Sequence, residues 1–338
     1  MNDKLVAIPT ETVYGLACNA LSPAAAELVF RTKARPLTDP LIVHVASPSS
    51  ALPLISAPTS LLHTFTTLTS KFWPGPLTII LPSSPLVPSI ITSNTSTVAL
   101  RSPSHPVCRS ILSSSKVPLA MPSANKFGHV SPTTSLHVMG EFPSDDVLIV
   151  EDEGGREEDR VGIESTVVKL TEGEGGEVGV QVLRPGAVTG SMIEGCLKEG
   201  GIEYEVKEPP RKALGEDEES NGAPGQNVKH YAPTVPAFIW KGGEGGMEQL
   251  ESTVVIDFGA ELAGLQGRAL GYRTLSPGGD AREAGRLIYE TLRWAEGVEG
   301  AKWIALPDLR GVEDERVEGV RDRIWRAASG VVKGGEKV

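Results

Sequence analysis

Short apolar runs, each stopped by a proline or a polar turn and each too short for a helix, recur along most of this chain. Leu5-Val6-Ala7-Ile8, Leu41-Ile42-Val43-His44-Val45 and residues 77–81, 97–101, 117–121 and 180–183 read as buried strands. The stretches between them carry helix signals. Ser22-Pro23 combines an N-cap with a first-turn proline and opens a helix through about Lys33. A second helix spans about 60–72 and halts at Trp73-Pro74-Gly75-Pro76, and residues 106–113 form a third. Strands and helices alternating at this spacing specify an α/β fold with a mixed sheet. In such sheets ligands sit at the carboxyl ends of strands. The polar cluster Pro9-Thr10-Glu11-Thr12, which follows the first strand, is therefore a candidate site floor, with Tyr14-Gly15 as its turn.

Residues 236–330 read as a second, smaller α/β unit, with strands at 254–258 and 303–306 and helices at 281–295 and 312–328. Trp294 and Trp325 are expected as core anchors. The layout predicted is a first domain over 1–206, a linker over 207–235 and a second domain over 236–332. The linker contains Pro209-Pro210 and an acidic run, and leaves through His230-Tyr231-Ala232-Pro233. Two acidic, glycine-rich stretches, 151–160 and 172–179, read as solvated loops.

Charge is divided along the chain. The net charge is −11, yet residues 1–140 hold nine Lys/Arg against four Asp/Glu, with no carboxylate between Asp39 and Glu141. A segment that excludes acids while keeping Lys33, Arg35, Arg101 and Arg109 suits an anionic ligand. No apolar run approaches the roughly 20 residues of a membrane helix, and no signal-peptide pattern opens the chain. Cys18, Cys108 and Cys196 lie far apart without metal-ligand spacing, which predicts a reducing, cytoplasmic setting without disulfides or zinc.

Familiar catalytic frames are missing: there is no phosphate-loop signature, Rossmann glycine fingerprint, nucleophile elbow or paired-histidine zinc motif. Strand ends instead carry Thr, Ser, Arg, Asn and His. That combination holds a charged substrate through hydrogen bonds and guanidinium contacts, and fits a reaction driven by positioning and charge stabilisation, such as attack on a phosphoryl group.

Taken in order, eight motifs resemble the YrdC-type threonylcarbamoyl-AMP synthases. They are Pro9-Thr10-Glu11-Thr12-Val13-Tyr14-Gly15-Leu16, Lys33-Ala34-Arg35-Pro36, Pro40-Leu41-Ile42-Val43-His44, Trp73-Pro74-Gly75-Pro76-Leu77-Thr78, Ala99-Leu100-Arg101, Pro122-Ser123-Ala124-Asn125, Gly162-Ile163-Glu164-Ser165-Thr166 and Leu183-Arg184-Pro185-Gly186. His230-Tyr231-Ala232-Pro233 and the second α/β unit are similar to the long, two-domain form of that family.

The resemblance implies a YrdC-like twisted mixed sheet with flanking helices and a central cleft, plus a smaller Rossmann-like C-terminal α/β domain. The implied reaction joins L-threonine, bicarbonate (or CO2) and ATP into threonylcarbamoyl-adenylate and pyrophosphate. Mg2+ would accompany ATP, and a partner transferase would carry the group to tRNA beside the anticodon, with weak tRNA binding by the chain itself. The family's threonine contacts map onto Thr12, His44, Arg101, Met121 and Ser165; its ATP contacts map onto Lys33, Arg35, Asp39, Thr97, Ser123, Ser131, Arg184 and Tyr231. No protein nucleophile and no protein-held metal is implied. Met121 stands where the family usually has alanine, so contact there is expected through backbone. Two further departures are expected to matter: the chain begins close to its first strand, shortening one wall of the cleft, and the acidic stretch between Ser165 and Arg184 lengthens a loop near the site. In the linker, Ala223-Pro224-Gly225-Gln226-Asn227-Val228-Lys229 departs from the family's pattern, while residues 221–235 are expected to fold over the nucleotide. A competing reading is a non-catalytic, translation-associated RNA-binding module using the basic first half. Carbamoyl transfer in hydrogenase maturation is disfavoured by the lack of any Cys-x-x-Cys pair.

Overall fold

Period-two alternation in the strands separates a core face from a site face. The computed structural model describes residues 5–143, 146–152, 155–173, 176–207, 230–242 and 247–334. Two compact units emerge: Met1–Phe127, Pro132–Arg160 and Glu164–Gln226 form one, and Gly128–Ser131, Val161–Ile163 and Asn227–Val338 the other. Most of the predicted linker, 208–229, lies outside the described residues.

The first unit contains β1 (Leu5–Ile8), β2 (Gly15–Asn19), β3 (Ile42–His44), β4 (Leu77–Pro82), β5 (Thr97–Arg101), β6 (Leu119–Ala120), β7 (Val147–Ile149), β8 (Thr166–Glu172), β9 (Val178–Arg184) and β10 (Tyr204–Lys207). They form one mixed sheet in the order β10-β9-β8-β4-β5-β3-β6-β2-β1-β7. One face of this sheet packs on helices. Leu77, Ile79 and Leu81 of β4, Val98 and Leu100 of β5 and Val43 of β3 are buried in the same core as Phe30 of the helix Pro23–Lys33, Phe65 of Thr59–Phe72 and Leu197 of Gly190–Glu199. Leu61, Phe65, Leu68 and Phe72 follow helical spacing, and Phe65 meets Trp73 edge-on at 5.4 Å. Each such side chain contributes roughly 1.5–3 kcal/mol by leaving water. Alternation sends the intervening residues to the opposite face: Ile42, Ile80, Ala99, Val167 and Leu183 form a separate small apolar cluster there.

The helix signals hold. Ser22 caps Pro23–Lys33 by accepting from Ala25 N, and the chain leaves through Ala34 in a left-handed conformation. Three expectations change in this unit. Gly15 does not close a turn but opens β2, which runs antiparallel to β1; residues 9–14 are thus the connection between two paired strands near the β7 edge of the sheet, and Gly15 also bridges Ser123. The acidic stretch 172–179 joins the far ends of β8 and β9, which pair antiparallel over almost their whole length. Six residue steps at about 3.3 Å place it about 20 Å from the end that carries Thr166 and Arg184, so it does not lengthen a loop at the site. Nor is 151–160 merely solvated, because Asp152 Oδ1 lies 2.8 Å from Nε2 of buried His105.

The second unit holds five parallel strands, β11 (Ala237–Trp240), β12 (Thr253–Asp257), β13 (Gly271–Thr274), β14 (Trp303–Pro307) and β15 (Val332–Lys333), in the order β13-β12-β14-β11-β15. Its helix Ala281–Glu296 is capped by Asp280, which accepts from Glu283 N at 2.7 Å, and buries Ala284, Ile288, Tyr289 and Leu292. Gly162 sits at φ +77°, and a Cβ there would meet the Arg286 backbone at 2.4 Å, so only glycine lets the 161–163 stretch approach this helix. Trp294 and Trp325 are half-buried rather than core anchors; Trp294 lies under the Arg273 guanidinium at 4.2 Å. Both tryptophans sit on helix positions beside the fully buried stripe, where one edge of the ring stays in solvent.

Candidate functional site

The face of the large sheet opposite the core that holds Phe30, Phe65 and Leu197 carries the Arg101 charge at one end of β5. Thr97, Ala99 and Arg101 alternate onto this face, so Thr97 and Arg101 stand about 13 Å apart with Ala99 between them.

At the Arg101 end, three segments distant in sequence converge. Thr10 organises the first: its hydroxyl donates to Val13 O at 2.7 Å and accepts from the Thr12 and Val13 amides, each at 3.2 Å. This side-chain turn replaces a strand and presents Glu11 and Thr12 side by side. Because the single Thr10 hydroxyl proton is used on Val13, the Thr12 hydroxyl donates to Thr10 Oγ1 at 2.8 Å. Thr12 in turn accepts from Arg101 Nη1 at 3.0 Å. Arg101 Nη2 donates to Glu11 Oε1 at 2.7 Å, and its Nε donates to the Gly75 carbonyl at 3.3 Å. All three side chains are buried, Glu11 at 3% exposure and Arg101 at 4%.

The Trp73-Pro74-Gly75-Pro76 segment thus does more than stop a helix: its Gly75 carbonyl orients the guanidinium. A Cβ on Gly75 would lie 2.5 Å from Phe72 O. Gly75→Ala is therefore expected to push this carbonyl off Arg101 and to destabilise the fold by about 1–3 kcal/mol, the usual range for overpacking. A denaturation midpoint unchanged from wild type would contradict this.

His44 ends β3 directly beside Arg101 in the parallel β3–β5 register. Its Nδ1 lies 3.2 Å from Ile42 O. Burial, and secondarily the Arg101 charge, lower its pKa to about 3, so at neutral pH the ring is uncharged. On the other side of β4, Ser165 Oγ lies 2.7 Å from Thr78 Oγ1, and Arg184 donates from Nε to Ser165 O at 3.0 Å and from Nη2 to Ser165 Oγ at 3.1 Å. Arg184, assigned by resemblance to the nucleotide, is therefore bonded to a residue assigned to the amino acid. Met121 donates its amide to Ile42 O at 3.0 Å, while its side chain packs with Ile8, Ala17, Cys108, Leu112 and Leu119; the thioether belongs to an apolar cluster.

The other basic group gathers around Arg35. Its Nε donates to Asp39 O at 2.9 Å, its Nη2 to Pro40 O at 2.8 Å, and it pairs with Asp39 Oδ2 at 3.0 Å, with both side chains buried. Pro40 and Thr97 line one cavity together with Leu41, Ile80, Ile91, Thr92, Thr95 and Ala99. Lys33 is wholly buried, and its Nζ donates to the carbonyls of Ser123 and Asn125. Burial first, then the Arg35 charge, hold its pKa well below that of a free lysine. Lys33 thus ties the Pro122-Ser123-Ala124-Asn125 segment to its helix. Ser131 and Tyr231 belong to the second unit; Tyr231, at φ +60°, packs against Tyr289 at 5.6 Å and under Arg323 at 5.4 Å.

Four contributors carry no ligand role from sequence: Thr10 and Glu11, placed only in the candidate site floor, and Gly75 and Thr78, placed only in a motif. Glu11 had one available signal, since it is among only four carboxylates in the acid-poor first 140 residues.

These features define a two-unit α/β protein with a charged, partly buried site on one face of its larger sheet. Residues 1–186 match the Sua5–YciO–YrdC family, described as telomere recombination, and residues 188–329 match the threonylcarbamoyl-AMP synthase C-terminal domain. The threonylcarbamoyl-AMP synthase of Pyrococcus abyssi is 39% identical over 239 residues, covering 71% of this chain and 65% of that protein. The Bacillus subtilis enzyme of the same name is 38% identical over 242 residues, 71% of this chain and 64% of that protein. The aligned stretch thus spans just under two-thirds of the length of these relatives. The crystal structure of P. abyssi Sua5 complexed with L-threonine superposes with a TM-score of 0.79 at 32% identity, over 98% of this chain and 92% of that one. The chain belongs to the Sua5-type two-domain family, a YrdC domain followed by a Sua5 C-terminal domain.

Proposed function

We infer that this chain is a threonylcarbamoyl-AMP synthase, converting L-threonine, bicarbonate or CO2 and ATP into threonylcarbamoyl-AMP and pyrophosphate. One observation carries the reading. A buried guanidinium with hydroxyl partners stands at one end of β5, and a second buried guanidinium beside a cavity stands toward the other, with an apolar floor between them. In this reading the amino acid lies at the Arg101 end and the nucleotide toward the Arg35 end, with the reacting groups meeting over the floor. The L-threonine held by the P. abyssi relative supports the same reading.

In this scheme Arg101 receives the threonine carboxylate, as a planar fork suited to a carboxylate. Thr12, uncharged His44 and Ser165 fix the rest of the amino acid, and Met121 acts through its backbone. Arg35, Asp39, Thr97 and Ser123 serve the nucleotide. Arg184 joins the two groups through Ser165, and Lys33 supports Ser123 from behind. The carbamate formed on the threonine nitrogen attacks the α-phosphorus; an O–P bond forms, the bond to the bridging oxygen breaks, and pyrophosphate leaves with its electron pair. Positioning and charge stabilisation supply the acceleration, without a protein nucleophile. Among the described residues no group of three His, Cys, Asp or Glu side chains is placed to hold an ion; Mg2+ would enter bound to the nucleotide phosphates and offset their charge. The product is a reactive mixed anhydride, so its consumer is a transferase that passes the threonylcarbamoyl group to tRNA. No helix among the described residues is long and apolar enough to cross a membrane, in keeping with a cytoplasmic place for that exchange.

Purified chain supplied with ATP, Mg2+ and bicarbonate should release pyrophosphate only when L-threonine is added. Release that ignores threonine, or none at all, would overturn the reading.

A further inference from the structure

The Glu11–Arg101 pair has an open half. Glu11 Oε1 is engaged by Arg101, whereas Oε2 is buried and has no hydrogen-bond partner. A carboxylate oxygen withdrawn from water and left bare is rare, because its desolvation is uncompensated. On the same pair, Arg101 uses three of its five N–H groups, on Gly75, Thr12 and Glu11, which leaves one N–H on each Nη. A bare acceptor and unused donors therefore belong to the two members of one ion pair, joined through Oε1 at 2.7 Å.

We propose that Glu11 is the amine-recognition residue of the site, its Oε2 receiving the α-ammonium of the substrate amino acid while Arg101 receives the carboxylate. This rests on the reading that the site binds an amino acid. The geometry matches: the ammonium and carboxylate of an α-amino acid are adjacent charges of opposite sign, and so are Glu11 and Arg101. A zwitterion laid antiparallel on this pair meets an opposite charge at each end, so a net-neutral ligand enters a net-neutral buried pair and no uncompensated charge is created. Thr10 makes this arrangement possible, since its turn aims Glu11 and Thr12 at the same guanidinium. Glu11 thereby selects for an amine at the α-carbon, the atom that must become the carbamate nitrogen, over a hydroxyl at the same place.

The test compares two ligands, L-threonine and the (2S,3R)-2,3-dihydroxy acid that carries hydroxyl in place of the amine, by calorimetry on the full chain. Wild type should bind threonine about tenfold to a hundredfold more tightly than the dihydroxy acid, the range of one charge-assisted hydrogen bond. Glu11→Gln should weaken threonine by a similar factor and leave the dihydroxy acid within about threefold, collapsing the ratio. Equal weakening of both ligands would mean that Glu11 only steadies Arg101, and would overturn the proposal; so would unchanged threonine affinity. If Glu11→Gln does not fold, the wild-type ratio decides, and a ratio near one overturns it. A panel of the common α-amino acids separates this proposal from the choice of threonine. Binding of a different amino acid that is lost in Glu11→Gln would sink the threonine reading and uphold Glu11. Binding of no amino acid by wild type would overturn both.

Discussion

Arg101→Ala is expected to abolish threonine-dependent pyrophosphate release and to lower the stability of the fold by about 3–5 kcal/mol, the penalty for leaving one member of a buried ion pair uncompensated. The guanidinium holds Glu11, Thr12 and Gly75 together, from residues 90, 89 and 26 positions away. Its removal strands the Glu11 carboxylate, at 3% exposure, with neither water nor a counter-charge. Arg101→Lys should rescue little activity, because a point charge cannot serve three acceptors in a fork and still leave donors for a carboxylate. The double variant Glu11→Leu/Arg101→Met separates stability from function: replacing both charges by apolar groups should recover most of the lost stability and none of the activity. Chemical denaturation followed beside pyrophosphate release checks all three variants. ATP binding should survive in the Arg101 variants, since Arg35 is held by Asp39 and the Pro40 carbonyl, and its bonds to them do not pass through Arg101. Loss of threonine and ATP binding in equal measure would refute that division.

Acid should destabilise the chain through His44. In the folded protein its pKa is lowered to about 3, by burial first and the Arg101 charge second, against about 6.5 for an unfolded histidine. Between those values the unfolded chain carries a proton that the folded chain does not, so the stability supplied by the neutral ring is complete above about pH 6.5 and is lost progressively as pH falls toward 3. The full difference approaches roughly 4–5 kcal/mol, and between pH 7.5 and pH 4.5 it amounts to about 2–3 kcal/mol. His44→Gln cannot take up the proton and should show a correspondingly smaller drop over that interval, which comparing the two proteins isolates from carboxylate titration. Parallel pH profiles for wild type and His44→Gln would contradict the assignment of His44 as a buried neutral ring. Protonating it at neutral pH would place a second cation beside Arg101, which the Arg101 charge itself opposes.

Much of the fold was legible from local pattern. The helix Pro23–Lys33 has its Ser22 cap and first-turn proline, and β5 spans the predicted residues, because N-capping and period-two burial act over a few neighbours. β6 was overextended: only Leu119–Ala120 pair with neighbours, and Met121 bonds to Ile42 as the chain leaves the sheet. β2 was missed because Gly15 and Asn19 at its ends resemble turn residues, although its interior is buried between β1 and β6. The acidic β8–β9 connection looked close to Ser165 and Arg184 in sequence, yet two seven-residue strands carry it to the opposite end.

The site divides in the same way. Arg101, Thr12, His44 and Ser165 were nameable from motifs in order, but Glu11 lay inside the first motif without a role, since its partner is 90 residues away. Gly75 and Thr78 were invisible for the same reason. What the amino-acid sequence determined by itself was the set of elements, the acid-poor first segment and the residue types available at each strand end, because propensity, capping and alternation are short-range. What only the tertiary structure decided was which of those residues share a face, that Arg184 bonds Ser165 while Lys33 faces backbone carbonyls, that His44 is neutral, and that Glu11 keeps one oxygen bare. Those outcomes depend on burial and on charges brought together across long loops, where the local dielectric and the identity of the neighbour set the energy.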